Sequence, residues 1–432
     1  MQKSCPKNTP YNECELRMAK ETAEEALYNN GKRETSSPLI VKLTEMCEKF
    51  IRRSKTVVYG GTAINAILPK RLKFYNAETE IPDYDIYSPT PIEHAKEMVD
   101  EFIKAGFNHV EAKSALHYGT YKVFVDFVGA LDITYMPPKL FKLVQKKAVK
   151  KEGMLFCNPD LLRQAIYIEL ANPSGDVDRW KKVLPRLHRL NEAYPLKPGR
   201  CKKLDVKIET RPIDNNLKDL VESIMLSELV VFLGGFAHSY YLPPMSPAVK
   251  DENPGYYDII VENPEHFIEI VTVQLKKHGY DKVRSVKHQP VGEILGPYYE
   301  VKIDNFTVLN IFEPTRCYAY NEINKNGVKI RIASFDTLLA FYFAFVYAQL
   351  PHFNETRILC MADKLFKAMH DNVYSKNTLL KRFPLNCYGK HETLRTARAH
   401  KWNMRKKLKR DTIAYKRWFF KYTPMIDSPK KE

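Results

Sequence analysis

Hydrophobic and polar positions along the first third of the chain predict short helices and short strands in turn. Apolar residues recur at helical spacing over residues 12–29 and again over residues 38–53. An apolar run at Val57–Tyr59 predicts a strand, and the pattern of residues 119–136 predicts two strands joined by a tight turn. This succession predicts an α+β fold, in which a small mixed sheet is flanked by helices.

Small residues follow the first expected strand, and two acidic residues lie on a further expected strand. Gly60, Gly61 and Thr62 come directly after the first strand, and Asp83 and Asp85 are separated by one residue. Glycines let a backbone approach a phosphate closely, the N–H groups of a helix N-terminus favour an anion, and a threonine adds a hydroxyl donor. Alternate side chains of a strand share a face, so the two carboxylates would lie about 7 Å apart and could bracket two divalent cations. The stretch therefore predicts a place for a triphosphate and for its metal ions.

This combination of strand, Gly-Gly-Thr, helix and Asp-x-Asp resembles the DNA polymerase β-type nucleotidyltransferase superfamily. The gap of 22 residues from Gly61 to Asp83 is longer than usual and indicates an inserted loop around residues 70–80. The resemblance implies a third carboxylate on a neighbouring strand, for which Asp126 and Asp132 compete.

We favour Asp132, because it lies between apolar neighbours in Leu-Asp-Ile and in this resembles the third acid of eukaryotic-type poly(A) polymerases. Asp126 is interpreted as the outward, solvated residue of an alternating strand that precedes a turn at Gly129-Ala130.

Composition narrows the class of partner. The chain has 432 residues, of which 44% are hydrophobic, so it can bury more than one core, and its net charge of +17 predicts an anionic partner. The polar N-terminal residues predict no secretory signal, and the longest apolar run, residues 338–348, is too short to span a bilayer, so no membrane partner is expected. The eight cysteines show no C-x-x-C spacing, which predicts reduced, mostly buried thiols of an intracellular protein and argues against a zinc site.

The chain also contains an internal repeat. When Gly234-Gly235 is set over Gly60-Gly61, Asp258 falls on Asp85 after one deletion; Gly296 then falls on Gly119 and, with one extra residue in the following turn, Asn310 falls on Asp132. The scaffold therefore recurs but the acids do not, since Tyr256 stands at the position of Asp83 and Phe236 at that of Thr62. We expect the second copy to be catalytically silent, because one carboxylate cannot easily hold two metal ions.

Two tandem copies, the first intact and the second degenerate, resemble the catalytic subunit of the poly(A) polymerases of large cytoplasmic DNA viruses. The segments that carry this resemblance are YGGTAIN (59–65), PDYDIYS (82–88), HYGTYKVFVDF–LDITYMP (117–137) and DRWKKVLPRL (178–187). It implies an enzyme that adds AMP from ATP to an RNA 3′ end without a template. Asp83 and Asp85 would hold two Mg²⁺ or Mn²⁺ ions, Asp132 would complete one of these sites, and the glycines with Thr62 would hold the triphosphate. It further implies a location in the host cytoplasm, at the viral factory, or in the virion, and it leaves open whether the chain forms a homodimer.

Two basic segments have two interpretations each. Arg179 and Lys181 begin a basic helix that either contacts the nucleotide phosphates or the RNA 3′ end, or is simply the solvated face of an amphipathic helix. Residues 388–432 contribute +10 of the net charge and interleave aromatic residues with lysines and arginines. That mixture suits single-stranded RNA, and the alternative is a basic helix whose aromatic side chains dock on the protein.

The domain organisation expected from these features has three parts. Residues 1–200 would form the catalytic domain, residues 201–387 the degenerate nucleotidyltransferase-like domain, and residues 388–432 a basic aromatic tail. Two other functions remain open at this point: another template-independent nucleotidyltransferase, such as a uridylyltransferase, would share every acid, and a non-catalytic RNA-binding subunit could use the same fold.

Overall fold

A computed structural model describes residues 5–6, 8–196, 214–241, 255–325, 327–350, 354–371 and 380–424. The chain forms two compact units. The first comprises Met1–Tyr135, Ala148–Phe156 and Arg410–Glu432, and the second comprises Met136–Lys147 and Cys157–Lys409, as far as these residues are described.

The first unit is built around one mixed sheet. Its helices are α1 (Tyr11–Thr35), α2 (Pro38–Ser54), α3 (Gly60–Ile67), α4 (Pro91–Lys104) and α14 (Ile413–Trp418). Its strands are β1 (Val57–Tyr59), β2 (Asp85–Ser88), β3 (Val110–Ser114), β4 (Thr120–Val125), β5 (Val128–Tyr135), β6 (Val149–Lys151), β7 (Met154–Phe156) and β16 (Lys421–Tyr422). The strand order is β16-β3-β4-β5-β2-β1-β7-β6. Strand β2 runs parallel to β5 and antiparallel to β1.

Periodic apolar residues hold the helices of this unit against the sheet. Helix α2 buries Leu43, Cys47, Phe50 and Ile51, which recur at helical spacing. Tyr84, just before β2, donates a hydrogen bond of 2.7 Å to Glu48 of α2. This face of the sheet is therefore covered by helix α2. Asp83 and Asp85 alternate along the chain with the buried Tyr84 and Ile86, so their side chains belong to the opposite face.

The second unit contains a second mixed sheet. Its helices are α5 (Pro138–Lys147), α6 (Pro159–Leu170), α7 (Trp180–Ala193), α8 (Asn215–Ser227), α9 (Gly234–Ser239), α10 (Pro264–Lys277), α11 (Phe335–Ala348), α12 (Glu355–Asp371) and α13 (Leu394–Lys407). Its strands are β8 (Val231–Phe232), β9 (Tyr257–Ile260), β10 (Val283–His288), β11 (Tyr298–Ile303), β12 (Phe306–Phe312), β13 (Cys317–Lys325), β14 (Val328–Ala333) and β15 (Cys387–Gly389). The strand order is β10-β11-β12-β9-β8-β14-β13-β15.

The second sheet repeats the first strand by strand. The series β3-β4-β5-β2-β1-β7-β6 corresponds to β10-β11-β12-β9-β8-β14-β13. Tyr257 donates to Glu222 of α8 just as Tyr84 donates to Glu48 of α2. The α+β fold with two mixed sheets flanked by helices, expected from the sequence, is therefore confirmed.

The register corrects the expected alignment of the repeat by one residue. Tyr135 donates its N–H to the carbonyl of Gly119 (2.8 Å), and Glu313 donates in the same way to Pro297 (3.0 Å), so Pro297 and not Gly296 corresponds to Gly119. Two residues join the strands of each hairpin, β4–β5 and β11–β12, so the extra residue of the second copy precedes β11 and is not in the turn.

The turn of the first hairpin was also predicted wrongly. It consists of Asp126 and Phe127, both with positive φ (47° and 69°), whereas Gly129 and Ala130 lie within β5. Asp126 is therefore a turn residue and not the outward residue of a strand.

The expectation that the cysteines are reduced is wrong for part of the set. Cys5 is bonded to Cys14 and Cys317 to Cys387, whereas Cys47 and Cys157 are buried free thiols.

Other expectations about the elements are confirmed or left open. The apolar run at residues 338–348 lies in the buried helix α11. No helix in the described part of the chain is both long and apolar enough to cross a membrane. Residues 136–147 and 157–193 belong to the second compact unit and residues 410–424 to the first. The boundary expected near residue 200 lies outside the described residues, and the expected domain limits stay a prediction.

Candidate active site

Gly60 begins α3 directly beside a carboxylate. It follows β1 with φ of +74°, a conformation that side-chain-bearing residues rarely adopt. A Cβ atom added here would lie 2.6 Å from Oδ2 of Asp85, which is opposite Tyr59 in the register of β1 and β2. The glycine is therefore needed for the approach of Asp85 as well as for any approach of a phosphate.

Asp85 and Asp132 are direct neighbours on parallel strands. The register pairs Asp85 of β2 with Asp132 of β5, and the Asp132 N–H donates to the Tyr84 carbonyl (3.0 Å). Such partners have backbones about 4.8 Å apart and side chains on one face of the sheet. Asp126 lies in the turn before β5, and the four strand steps from Val128 to Asp132 alone span about 13 Å. The geometry thus favours Asp132 over Asp126, although the catalytic role itself stays a prediction.

Asp83 stands just before β2, with its side chain exposed. The Thr62 hydroxyl donates a hydrogen bond of 2.6 Å to the Asp83 carbonyl. Thr62 therefore fastens the segment that carries Asp83 to the first turn of α3. This contact was not predicted from the sequence, from which we expected the Thr62 hydroxyl to donate a hydrogen bond to the triphosphate.

A lysine that the sequence analysis missed lies on the third acid. Lys122 of β4 is the register partner of Asp132, and its Nζ forms an ion pair with Asp132 Oδ2. Burial raises the pKa of the Asp132 carboxyl above its usual value and the charge of Asp83 adds to the rise, while the Lys122 ammonium acts in the opposite direction. No local pattern in the sequence could have found this pair without the register of β4 and β5.

The donor set suits hard divalent cations. Three carboxylates, two of them in register on adjacent strands, offer the oxygen ligands that Mg²⁺ and Mn²⁺ prefer. Among the described residues, however, these acids are not a group whose ligand atoms all lie within 4.8 Å of one another. The acids therefore fit the ions chemically, and in this structure their oxygens are not all within that distance.

A different cluster does meet that distance. Cys317, Cys387 and His391 place their ligand atoms within 4.8 Å of one another, with Cys317 Sγ 3.4 Å from His391 Nε2. The two sulfurs are bonded to each other, so this cluster holds a disulfide and not a pair of thiolates.

Arg179 and Lys181 lie in the second compact unit. The Arg179 guanidinium forms hydrogen bonds of 2.8 and 3.1 Å with the Glu169 carboxylate, and Lys181 lies 3.4 Å from Asp178. These contacts do not test a role toward the nucleotide, which stays a prediction.

The site of the second copy is filled with protein. Asp258 and Asn310 occupy the positions of Asp85 and Asp132, are buried, and share a hydrogen bond of 2.9 Å from Asn310 Nδ2 to Asp258 Oδ1. Phe236, at the position of Thr62, packs against the rings of Phe232, Tyr240 and Tyr257. Burial and aromatic side chains thus take the place of an open acidic face.

The basic tail divides into two parts. Trp418 and Phe420 pack on the first unit, where the Ser114 hydroxyl donates to the Trp418 carbonyl (2.7 Å) and Phe420 contacts the Tyr121 ring. Trp402 of α13 is 56% exposed and lies beside the cationic groups of Arg405 and Lys406. The docking alternative therefore holds for the end of the tail, and α13 keeps the exposed mixture that suits RNA.

Known proteins resemble the chain in both sequence and structure. Residues 45–176 match the family model of the poly(A) polymerase catalytic subunit. The chain is 25% identical to the protein assigned as the poly(A) polymerase catalytic subunit of Acanthamoeba polyphaga mimivirus, over 88% of this chain and 72% of that protein. It is 32% identical to the protein so assigned in African swine fever virus (strain Badajoz 1971 Vero-adapted), over 38% of this chain and only 36% of the relative. The chain thus spans about a third of the swine fever virus relative.

One solved structure has the same fold. The crystal structure of the Megavirus polyadenylate synthase superimposes with a TM-score of 0.79, covering 98% of this chain and 87% of that one at 19% identity. Together, the two mixed sheets and the acidic face of the first define a nucleotidyltransferase core with a degenerate second copy. Within that class, the match of residues 45–176 to the poly(A) polymerase catalytic-subunit model agrees with the resemblance seen in the sequence.

Proposed function

We propose that the chain is a template-independent polynucleotide adenylyltransferase, which adds AMP from ATP to the 3′ ends of RNA. The observation that carries this proposal is the register of Asp85 and Asp132 on adjacent parallel strands, with Gly60 packed against Asp85 at the start of α3. The family of residues 45–176 supports the choice of adenylate.

The acids of the first sheet would hold two divalent cations, Mg²⁺ or Mn²⁺. Asp83 and Asp85 would contact both ions, and Asp132 would complete the site on the side of the attacking 3′ hydroxyl. Two such ions supply charge stabilisation at the attacking and leaving oxygens and lower the pKa of the hydroxyl.

The remaining residues of the site bind and orient. The backbone of Gly60 and Gly61 at the start of α3 would approach the triphosphate, where N–H groups at a helix N-terminus favour an anion. Thr62 would keep Asp83 in place through its bond to the Asp83 carbonyl. Arg179 and Lys181 are proposed to contribute positive charge toward the phosphates.

The test is primer extension by the full chain with an unstructured RNA, Mg²⁺ or Mn²⁺, and each nucleoside triphosphate in turn. We expect extension with ATP in preference to the others. Extension with UTP alone would replace the adenylyltransferase by a uridylyltransferase, and RNA binding without extension by any nucleotide would favour the non-catalytic subunit.

Two matched substitutions test the choice of third acid. Asp132→Ala should lower the extension rate at least about 100-fold, because the cation beside the attacking hydroxyl loses a ligand, and RNA affinity should be retained. Asp126→Ala, in the turn of the same hairpin, should leave the extension rate within about twofold of the parent. If Asp126→Ala inactivates the enzyme and Asp132→Ala does not, the assignment is wrong.

Three further parts of the proposal concern the whole protein. The second unit is proposed to be catalytically silent, since Asp258 is buried against Asn310, and Asp258→Ala should therefore spare the chemistry where it spares the fold. We also propose that the enzyme acts in the host cytoplasm, at viral factories or from the virion. We further propose that the chain can form a homodimer, and sedimentation of the purified chain would test this.

A further inference from the structure

Lys122 lies opposite the third acid in both register and charge. Its ammonium pairs with Oδ2 of Asp132, the carboxylate that the proposed function assigns to a metal ion. The Asp132 side chain is 17% exposed and that of Lys122 is 43% exposed. The lysine therefore approaches the acid from the solvent side, by a flexible stem that can move away.

The second copy provides an internal comparison for this pair. The register places Glu300 of β11 opposite Asn310 of β12, where the first copy has Lys122 opposite Asp132. Both hairpins have a register shift at the same place, after Val123 in one and after Val301 in the other, so the correspondence does not depend on a gap. Where the acid has been replaced by an amide, the lysine has been replaced as well, and by a residue of opposite charge.

Glu300 takes part in a different set of contacts from that of Lys122. Its buried carboxylate interacts with His288 (2.9 Å), Thr307 (3.2 Å) and Lys302 (3.1 Å). Asn310 Oδ1, in turn, has no hydrogen-bond partner among the described residues. The lysine is thus present in the copy that has the acid and absent from the copy that lacks the acid. This indicates that Lys122 acts on Asp132 and is not needed for the fold of the hairpin.

We propose that Lys122 is a resident counter-ion, a positioning residue that holds Asp132 in the metal-free enzyme and is displaced from that carboxylate by a divalent cation. The proposal rests on the proposed function, because it concerns the same metal site. Three acids on one face repel one another, and the ammonium offsets this repulsion until a cation of higher charge arrives. While Lys122 holds Asp132, the oxygens of Asp83, Asp85 and Asp132 do not converge within 4.8 Å.

The direct consequence is competition between the ammonium and the metal ion. Removing the positive charge should tighten metal binding, by about two- to fivefold for an ion pair that is partly exposed. The measurement is Mn²⁺ binding to the full chain without nucleotide or RNA, followed by the electron paramagnetic resonance signal of free Mn²⁺. Lys122→Met keeps the apolar stem and should lower the Kd, whereas Lys122→Arg keeps the charge and should leave the Kd near that of the parent.

The neighbouring strand offers a matched control. Lys113 of β3 is the register partner of Lys122, but its ammonium pairs with Glu111 and lies over the Phe124 ring. Lys113→Met removes the same charge one strand further from Asp132 and should leave the Mn²⁺ Kd unchanged. In an Asp132→Asn background, Lys122→Met should also give no gain, since the acid for which it competes is gone.

The outcomes separate this inference from the proposed function. Unchanged or weaker Mn²⁺ binding by Lys122→Met would overturn it, as would an equal gain in the Asp132→Asn background. Melting temperatures report folding, and Lys122→Gln replaces Lys122→Met if the latter is unfolded; loss of the fold in both would assign Lys122 a structural role instead. If the parent binds Mn²⁺ with the expected charge dependence but extends no primer, the adenylyltransferase proposal fails and the counter-ion remains.

Discussion

At the scale of single residues, one glycine position links the two copies. Gly60 and Gly234 both have positive φ (74° and 56°), and a Cβ atom would lie 2.6 Å from Oδ2 of Asp85 in the first copy and 2.1 Å from Oδ2 of Asp258 in the second. Asp258 is the one member of the acid set that the second copy keeps. The persistence of the glycine in a copy expected to be silent is thus explained by packing against this aspartate, with no need of a triphosphate.

We predict that Gly60→Ala lowers the extension rate by about 100-fold. The new methyl group must push Asp85 away, and a displacement of about 1 Å at a reacting centre can cost that much. The left-handed backbone should also cost about 1–2 kcal/mol in the free energy of unfolding. Steady-state extension rates and denaturant unfolding measure the two effects.

Gly129→Ala is the control for this prediction. Gly129 lies in β5 of the same sheet, without positive φ, and a Cβ atom there meets nothing within 4 Å. Its extension rate should stay within about twofold of the parent, by the usual tolerance of open surface sites. Equal loss in both variants would mean that the approach of Asp85 to Gly60 is not the cause.

The sequence could predict the acids but not their partners. Asp83, Asp85 and Asp132 stand out because polar residues interrupt apolar strands, and the structure places Asp85 and Asp132 side by side. Lys122 could not be found, because its meaning lies in the pairing of β4 with β5, and a bulge between Val123 and Phe124 shifts that register. The bond from the Thr62 hydroxyl to the Asp83 carbonyl could not be found either, because it joins residues that are 21 positions apart in the chain. The role of Thr62 as a phosphate donor stays a prediction.

At the scale of elements, the β4–β5 hairpin shows why turns are harder to predict than strands. Gly129-Ala130 has the composition of a turn, yet the chain turns at Asp126-Phe127, where both residues adopt the left-handed conformation of a two-residue hairpin turn. Phenylalanine is an unusual choice there, and its side chain is 88% exposed. Strand pairing on either side decided the position of the turn against local composition.

Helix α9 of the second copy contains a buried histidine, from which we predict how the stability of the protein depends on pH. His238 is 5% exposed, and its Nδ1 lies 3.2 Å from the Tyr342 hydroxyl. Burial, together with the charges of Lys364 and Arg357, lowers its pKa from 6.5 to about 3. Between these values the unfolded chain binds a proton that the folded chain does not, so stability falls as the pH drops below 6.5.

We expect His238 to remove about 2 kcal/mol from the free energy of unfolding between pH 6.5 and pH 5. His238→Asn keeps a polar atom near the Tyr342 hydroxyl without a titrating ring, and it should lose this part of the pH dependence. Denaturant unfolding of both proteins at pH 7 and pH 5 gives the comparison. An identical pH dependence in the two proteins would show that His238 does not titrate on unfolding.

At the scale of the whole molecule, the feature that was hardest to predict from the sequence is the pairing of distant segments of the chain. The repeat and the two mixed sheets could be predicted, because apolar strands and glycines recur in order. The return of the C-terminal segment could not be, since β16 pairs Lys421 with Lys113 and Tyr422 with Ala112, more than 300 residues away along the chain. Such pairing leaves no periodic signal in the segment itself, and a basic, aromatic composition describes both its docked and its exposed parts.

The division of the tail into an exposed helix, α13, and a docked end leads to a prediction about RNA binding. If α13 contacts single-stranded RNA, Trp402→Ala should weaken binding at least about fivefold through lost stacking, and leave the salt dependence of binding unchanged. Arg405→Gln with Lys406→Gln should instead flatten the slope of log K against log salt by about 1.4, since each phosphate contact contributes about 0.7 for a single strand.

Trp418→Ala is the matched control for the tail, because this tryptophan packs against Tyr118 at a ring distance of 4.9 Å. It should lower the melting temperature, as a lost aromatic contact does, and change RNA affinity less than Trp402→Ala. Fluorescence anisotropy with a labelled RNA at several salt concentrations, beside thermal unfolding, measures all of these variants. If Trp418→Ala weakens RNA binding while Trp402→Ala and the charge variant do not, α13 is not the RNA contact. The docked end of the tail would then supply the stacking that we expect from α13.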